Sequence, residues 1–292
     1  MAIIADEWKD YECIDLGNGE KLERWKNIVL RRPDPWNLWP ISNENLWHNI
    51  HAFYHRNNKG GGYWEYKKKI PNFWTVNYEN LTFKVAPTDF KHTGLFPEQA
   101  ANWDFYRKCI EKSNKKNIKI LNLFAYTGGA TMACSNAGAS EVVHVDAAKG
   151  MNNWAKENMN LSNLQNNNIR FITEDCIKFI EREIRRGNKY DGIIMDPPSY
   201  GRGPNGELFK LEEKLYELIL KASNLLSDNP LFFTINCYTV GFTCLSLKNI
   251  LSKVILKKYP NYNILVDELC LPVSNGNILL PCGITGRIYN ET

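Results

Sequence analysis

Four short apolar runs between Lys119 and Tyr200 each end where residues able to do chemistry begin. Residues 120–124 break into Ala125-Tyr126-Thr127-Gly128-Gly129-Ala130, and residues 142–145 stop at Asp146. Residues 169–172 lead to Glu174-Asp175-Cys176, and residues 193–195 stop at Asp196-Pro197-Pro198-Ser199-Tyr200. Adjacent glycines let backbone approach a ligand closely and tolerate positive φ. A helix opening at Ala130 would present amides suited to a carboxylate or a pyrophosphate. A carboxylate in the position of Asp146 can accept from both hydroxyls of a ribose, or it can cap a helix over Lys149–Leu161. Asp175 has the same two options: an acceptor for an adenine amino group, or a cap for the helix beginning near Ile177. In Asp196-Pro197-Pro198 the prolines fix φ and remove two donors, so the Asp196 carboxylate and the Pro197 carbonyl project as acceptors. That arrangement suits the amino group of a planar base, with Tyr200 near enough to stack.

The elements that must position these groups follow from the apolar spacing. After Thr93 the chain alternates strand and helix, with helical stripes at Leu211, Leu215, Leu218, Ile219, Ala222, Leu225 and Leu226 and again over residues 247–255. Residues 231–235 read as a fifth buried strand, and residues 264–266 and 278–280 as a closing hairpin-like pair, its last strand antiparallel. Such alternation predicts an α/β fold, a doubly wound and mostly parallel sheet covered on both faces. In such sheets ligands bind outside the carboxyl ends of the strands, which puts the glycine loop and the three aspartates on one rim. Residues 1–90 differ, being rich in Trp and Tyr, with short strand-like runs between Gly, Pro and Asn turns. They predict a small N-terminal α+β or β-rich domain ahead of a larger one over 91–292.

Bulk properties bound the function. The 292 residues are 43% apolar and 23% charged, as in globular domains, and carry a net charge of +4. A pI near 8.5 permits an anionic partner without requiring one. Eight scattered cysteines form no C-x-x-C pair and no zinc spacing, so reduced thiols and no metal centre are expected. The acidic residues among the first ten argue against a signal peptide, and no apolar stretch is long enough to span a bilayer. A soluble, cytoplasmic protein is the expectation. A nicotinamide oxidoreductase is disfavoured, because Gly128-Gly129 does not have the G-x-G-x-x-G spacing.

The order of glycine loop, Asp146, Asp175 and Asp196-Pro197-Pro198-Ser199-Tyr200 resembles class I S-adenosylmethionine-dependent methyltransferases. More narrowly it resembles the bacterial ribosomal RNA methyltransferases that modify large-subunit cytosine C5 or guanine N7. Residues 122–131, Asn-Leu-Phe-Ala-Tyr-Thr-Gly-Gly-Ala-Thr, are similar to their N-L-F-x-Y-T-G motif. Residues 91–99, Lys-His-Thr-Gly-Leu-Phe-Pro-Glu-Gln, are similar to their T-G-x-F-x-x-Q segment. The resemblance implies a seven-stranded Rossmann-like catalytic domain, S-adenosyl-L-methionine as cofactor and ribosomal RNA as partner. It further implies that Phe96, Gln99, Asn122, Phe124 and Tyr126 lie beside the cofactor. Thr127, Gly128 and Gly129 would meet its methionine part, Asp146 its ribose and Asp175 its adenine, while Asp196 lines the transfer site with Pro197 and Tyr200. Asn122 departs from the carboxylate that many class I members carry there.

Cys237, ending the fifth run, falls where cytosine-C5 members carry a catalytic cysteine. A cytosine C5 needs prior covalent attack by a thiolate, whereas a nitrogen acceptor needs only presentation. The alternative for Cys237 is a small buried thiol. Residues 201–208, with three glycines and a proline, read as a lid over the substrate or as a long surface turn. Two basic clusters, Arg182/Arg185/Arg186/Lys189 and Lys67/Lys68/Lys69 beside Tyr63, Trp64 and Tyr66, suit RNA contact or are solvated faces. RNA methylation leads these readings. A small-molecule or protein methyltransferase, or a non-catalytic RNA-binding module of the same fold, are the alternatives.

Overall fold

The computed structural model describes residues 2–57, 61–202, 208–239 and 241–290. They fall into two compact units that interleave in sequence: residues 4–100 with 270–281, and residues 101–269 with 282–290 and the first residues of the chain.

In the first unit, after the two-residue β1 (Ile3–Ile4), the strands β2 (Tyr11–Gly17), β3 (Glu20–Trp25), β4 (Ile28–Pro33), β5 (Ala52–Arg56) and β6 (Gly62–Tyr66) lie side by side in that order. A separate hairpin joins β7 (Trp74–Tyr78) to β8 (Leu81–Val85). Period-two alternation buries Trp25 and Leu30 on one face of the sheet, with Glu23, and Leu22 on the other, where it clusters with Trp47 and Ile50. Glu23 is fully buried and is satisfied by Arg32 Nη2 at 2.9 Å and Tyr11 Oη at 3.1 Å. Without these partners the charge would be too costly to bury. On its other side β2 is paired by residues 270 onward, with Val273 opposite Cys13.

The second unit contains α1 (Ala100–Glu111), β9 (Lys119–Leu123), α2 (Gly129–Asn136), β10 (Glu141–Asp146), α3 (Lys149–Leu161), β11 (Ile169–Thr173), α4 (Cys176–Arg185) and β12 (Gly192–Met195). Then follow β13 (Tyr200–Arg202), β14 (Leu208–Lys210), α5 (Leu211–Ser223), β15 (Phe232–Cys237), α6 (Cys244–Leu251), β16 (Asn263–Val273) and β17 (Ile278–Tyr289). The strand order is β11-β10-β9-β12-β15-β17-β16. All pairs from β11 to β15 are parallel, and β17 runs antiparallel to β15. This is the predicted doubly wound sheet with its antiparallel last strand. The final two strands are much longer than the runs that announce them, and each contributes to both compact units.

Strands β12 and β15 are buried along their whole length, as a sheet covered on both faces requires. The stripe from Leu211 to Leu226 packs as predicted against Phe179, Ile180, Ile193 and Phe233 in the main core. The stripe over 247–255 begins as α6 but finishes in a π-helical turn, Ser252–Leu256. Among the described residues no helix is long and apolar enough to cross a membrane.

Candidate active site

The winding direction reverses between β9 and β12, which makes their carboxyl ends a topological switch point, the usual place for a ligand in an open α/β sheet. The chain leaves β9 through an unusual turn. Phe124 has φ 56°, Tyr126 φ 51° and Gly128 φ 86°. Two non-glycine residues in the left-handed region are strained, so the surroundings must hold them. Four backbone amides show how. Phe124 donates to Cys176 Sγ at 3.2 Å, Ala125 to the Val145 carbonyl at 3.1 Å, Tyr126 to Asp146 Oδ2 at 2.9 Å and Gly128 to the Ala125 carbonyl at 3.0 Å. The second oxygen of Asp146 accepts from Ala148 at 2.8 Å. Asp146 thus ties the loop after β9 to the entrance of α3. Burial raises its pKa above the ordinary aspartate value, and the two amides only partly offset that.

A polar floor lies beneath the loop. Asn122 donates to Thr131 Oγ1 at 2.9 Å, and the same hydroxyl meets His144 Nδ1 at 2.9 Å. His144 is fully buried, which pushes its pKa down to about 3 and keeps the ring neutral. Asn158 donates to the Thr127 carbonyl at 2.8 Å, and Asn152 to the Asp146 carbonyl at 3.2 Å. The side-chain amide of Asn122 is therefore directed into this network.

The two glycines serve different needs. Gly128 adopts a left-handed φ, and a Cβ there would crowd Met132 and Ala155. Gly129 has ordinary backbone, but a Cβ would lie 2.4 Å from Trp103 Cζ2, so the ring of α1 requires its absence. Gly128 caps α2 and has no side chain to offer the first amides of that helix. Such an amide end beside a half-buried carboxylate fits a ligand bearing its own carboxylate and hydroxyl donors.

The remaining predicted residues distribute unevenly. Asp175 caps α4, accepting from the Lys178 amide at 3.0 Å. Asp196 follows β12 directly, its amide donating to the Leu123 carbonyl at 3.3 Å, so the Asp-Pro-Pro-Ser-Tyr segment starts beside the glycine loop. Pro197 is buried and Tyr200 is 55% exposed. Cys237, at the end of β15, is 2% exposed, and burial pushes its thiol up to about 12 with Asp196 adding to the shift. Phe96 and Gln99 belong to the other compact unit, where Phe96 packs on His92 with ring centroids 5.1 Å apart. The lid read over 201–208 centres on residues 203–207, which lie outside the described residues; its feet, β13 and β14, pair antiparallel. In the basic cluster on α4, Arg182 is ion-paired with Glu174 at 2.5 Å and Arg186 with Glu183 at 3.3 Å.

Several site residues escape the sequence reading. Asn102 donates to Asn236 Oδ1 at 3.0 Å and accepts from Arg287 Nε at 2.8 Å, so α1 is bound to the end of β15 as well as packed on Gly129. Cys176 sits between the ends of β9 and β10, with its Sγ 3.7 Å from the Val145 carbonyl to which it donates. No local pattern marks these residues.

Comparison with known proteins agrees with this architecture. The chain is 31% identical over 180 residues to the ribosomal RNA large subunit methyltransferase K/L of Colwellia psychrerythraea, covering 61% of this chain and 24% of that protein. It is 32% identical over 195 residues to the enzyme of that name from Shewanella amazonensis, covering 63% and 26%. The chain therefore spans about a quarter of the length of these relatives. The crystal structure of the SAM-dependent methyltransferase from Agrobacterium tumefaciens superposes with a TM-score of 0.92 at 31% identity, covering 99% of this chain and 93% of that one. Residues 48–248, about two thirds of the sequence, match the model of the S-adenosylmethionine-dependent methyltransferase family, and the chain belongs to that family.

Proposed function

We propose that this chain methylates a base in RNA, ribosomal RNA before other RNAs, with S-adenosylmethionine as methyl donor. The observation that carries the reading is the Asp196-Pro197-Pro198-Ser199-Tyr200 segment, which leaves β12 at the switch point with Asp196 joined to the last residue of β9. The names of the two relatives, both ribosomal RNA methyltransferases, support the acceptor class.

When bound, S-adenosylmethionine supplies a methyl on a sulfonium, which calls for an oriented in-line nucleophile more than for acid–base help. The α2 amides suit its carboxylate, Asp146 its ribose hydroxyls, and the oxygen of Asp175 not engaged by Lys178 its adenine amino group. Phe124, Tyr126 and Thr127 shape that side, with Phe96 and Gln99 assigned to it by resemblance. Asp196 and the Pro197 carbonyl hold an exocyclic or ring N–H of the acceptor, and the exposed Tyr200 ring stacks on the base. A buried Cys237 with its thiol near 12 is the reverse of an activated thiolate. This favours a nitrogen acceptor over cytosine C5.

Nucleoside mass spectrometry of ribosomal RNA from cells with and without the protein tests the reading. Loss of one N-methylated base is expected, and unchanged modification of every ribosomal RNA would overturn it.

A further inference from the structure

The outer face of the β5–β6 hairpin carries an ordered row of π systems. Arg31 on β4 stands opposite Phe53 on β5, its guanidinium 4.3 Å from the ring centroid. Phe53 lies 4.0 Å from His55, and His55 stacks on its cross-strand partner Tyr63 at 5.0 Å with planes 19° apart. Two members are held from the side: Glu20 takes the Arg31 guanidinium, and Glu65 meets His55 Nε2 at 2.7 Å. The inner face is fixed too, because Trp64 Nε1 donates to the Thr88 carbonyl at 2.8 Å and the Tyr54 ring packs against Trp64. At the hairpin end Gly62 has no room for a Cβ, which would lie 2.6 Å from Tyr54 Cζ. The row therefore ends in a rigidly supported ring, Tyr63, which is covered on one side by His55 yet remains 63% exposed.

The stretch around that ring is predominantly basic, its one acid, Glu65, engaged by His55 and Lys67. Residues 51–69 include Arg56, Lys59, Lys67, Lys68 and Lys69 against the single acid Glu65, so this stretch alone matches the whole chain's net charge of +4. Arg56, Lys67, Lys68 and Lys69 are all exposed. A preorganised exposed aromatic among cations is what an unpaired nucleotide needs: a stacking surface for its base and counter-charges for its phosphates.

We propose that the outer face of the β5–β6 hairpin is a docking platform for single-stranded RNA, with a base stacking on Tyr63 and the phosphates meeting the Lys67–Lys69 run. The platform rests on the RNA reading above and specifies the form of RNA that is engaged, an unpaired segment. It also assigns the N-terminal unit a part in substrate capture.

The test is fluorescence anisotropy with the full chain and a labelled single-stranded RNA dodecamer, at two salt concentrations. Tyr63→Ala is expected to weaken binding about tenfold, and Tyr63→Phe to keep it. Replacing Lys67, Lys68 and Lys69 together by Ala should weaken binding and flatten its salt dependence. A duplex of the same sequence should bind more weakly and be insensitive to Tyr63→Ala. S-adenosylmethionine affinity, measured by calorimetry, should be equal in wild type and Tyr63→Ala, showing that the variant is folded. If the wild type binds the dodecamer and Tyr63→Ala binds it equally, the platform is wrong while the RNA reading stands. If the wild type binds neither strand nor duplex, the RNA reading fails and the platform with it.

Discussion

The Tyr126 amide donates to Asp146 Oδ2 across 2.9 Å, so a carboxylate at the end of β10 holds the strained turn at the end of β9. The same carboxylate is the one assigned to the ribose. Asp146→Ala should therefore cost cofactor binding twice, by removing an acceptor and by leaving the Tyr126 and Ala148 amides unpaired. Each orphaned amide is worth about 1–3 kcal/mol. Calorimetry with S-adenosylmethionine should show affinity falling by at least about tenfold, and an unchanged affinity would mean the ribose lies elsewhere.

Acidification should weaken the cofactor earlier than an exposed aspartate would. Burial holds the Asp146 carboxyl above its ordinary value, so its charge, and with it cofactor affinity, is lost as pH falls through that raised value. Stability responds in the opposite sense. The folded state binds the proton more tightly than the unfolded chain, so this group's contribution is full at low pH and is lost as pH rises through the folded pKa. Titrations of affinity and of melting temperature in wild type and Asp146→Asn should differ in these two opposite ways. Parallel curves for the two proteins would remove Asp146 as the cause.

Gly129→Ala should destabilise the fold by about 1–3 kcal/mol through overpacking on Trp103. Backbone conformation is not the cause, since Gly129 does not occupy the left-handed region. Trp103→Phe should lessen the cost of Gly129→Ala, and chemical denaturation of the double-mutant cycle measures that coupling. Strict additivity would show that the ring is not the obstacle.

Asp175 combines two jobs that substitution can separate. Asp175→Ala removes the α4 cap and should cost about 1 kcal/mol of stability. Asp175→Ser keeps a capping oxygen and should restore most of that stability while still lacking the acceptor for adenine. If the Ser variant binds S-adenosylmethionine as tightly as wild type, Asp175 is a cap and nothing more.

Cys237→Ala should retain methyl transfer within a few-fold, and 5-fluorocytosine-containing RNA should form no covalent adduct with the wild type. At neutral pH the thiol, pushed up to about 12, should alkylate slowly with iodoacetamide. Adduct formation, or loss of transfer in the Ala variant, would establish the thiolate route.

Much of this rim is legible in sequence because its signals are local. An apolar run breaks into a glycine loop at β9 and into an acidic residue at β10, β11 and β12, and α3 spans the predicted Lys149–Leu161. What is not legible depends on contacts between distant residues. Nothing near Asn102 announces that it reaches Asn236, and nothing near Cys176 shows that its sulfur supports Phe124. Buried polar residues such as Asn122 and His144 look like surface or ligand-facing groups until their partners are known. The strands β16 and β17 are equally opaque beyond their first residues, because Pro272, Pro281 and Gly283 interrupt the apolar pattern while the pairing continues.

The division of β16 and β17 between units also sets an order on biogenesis. Residues 270–281 complete the sheet begun by β2, with Ser274 and Asn275 donating to the Cys13 and Ile14 carbonyls at 2.9 Å each. A nascent chain emerges amino end first, so β2 stands unpaired along that edge while more than two hundred further residues are synthesised. Contacts of such long sequence separation close slowly. The first residues made are among the last to be finished, and truncation before residue 270 would strip an edge from the unit at the opposite end of the gene product.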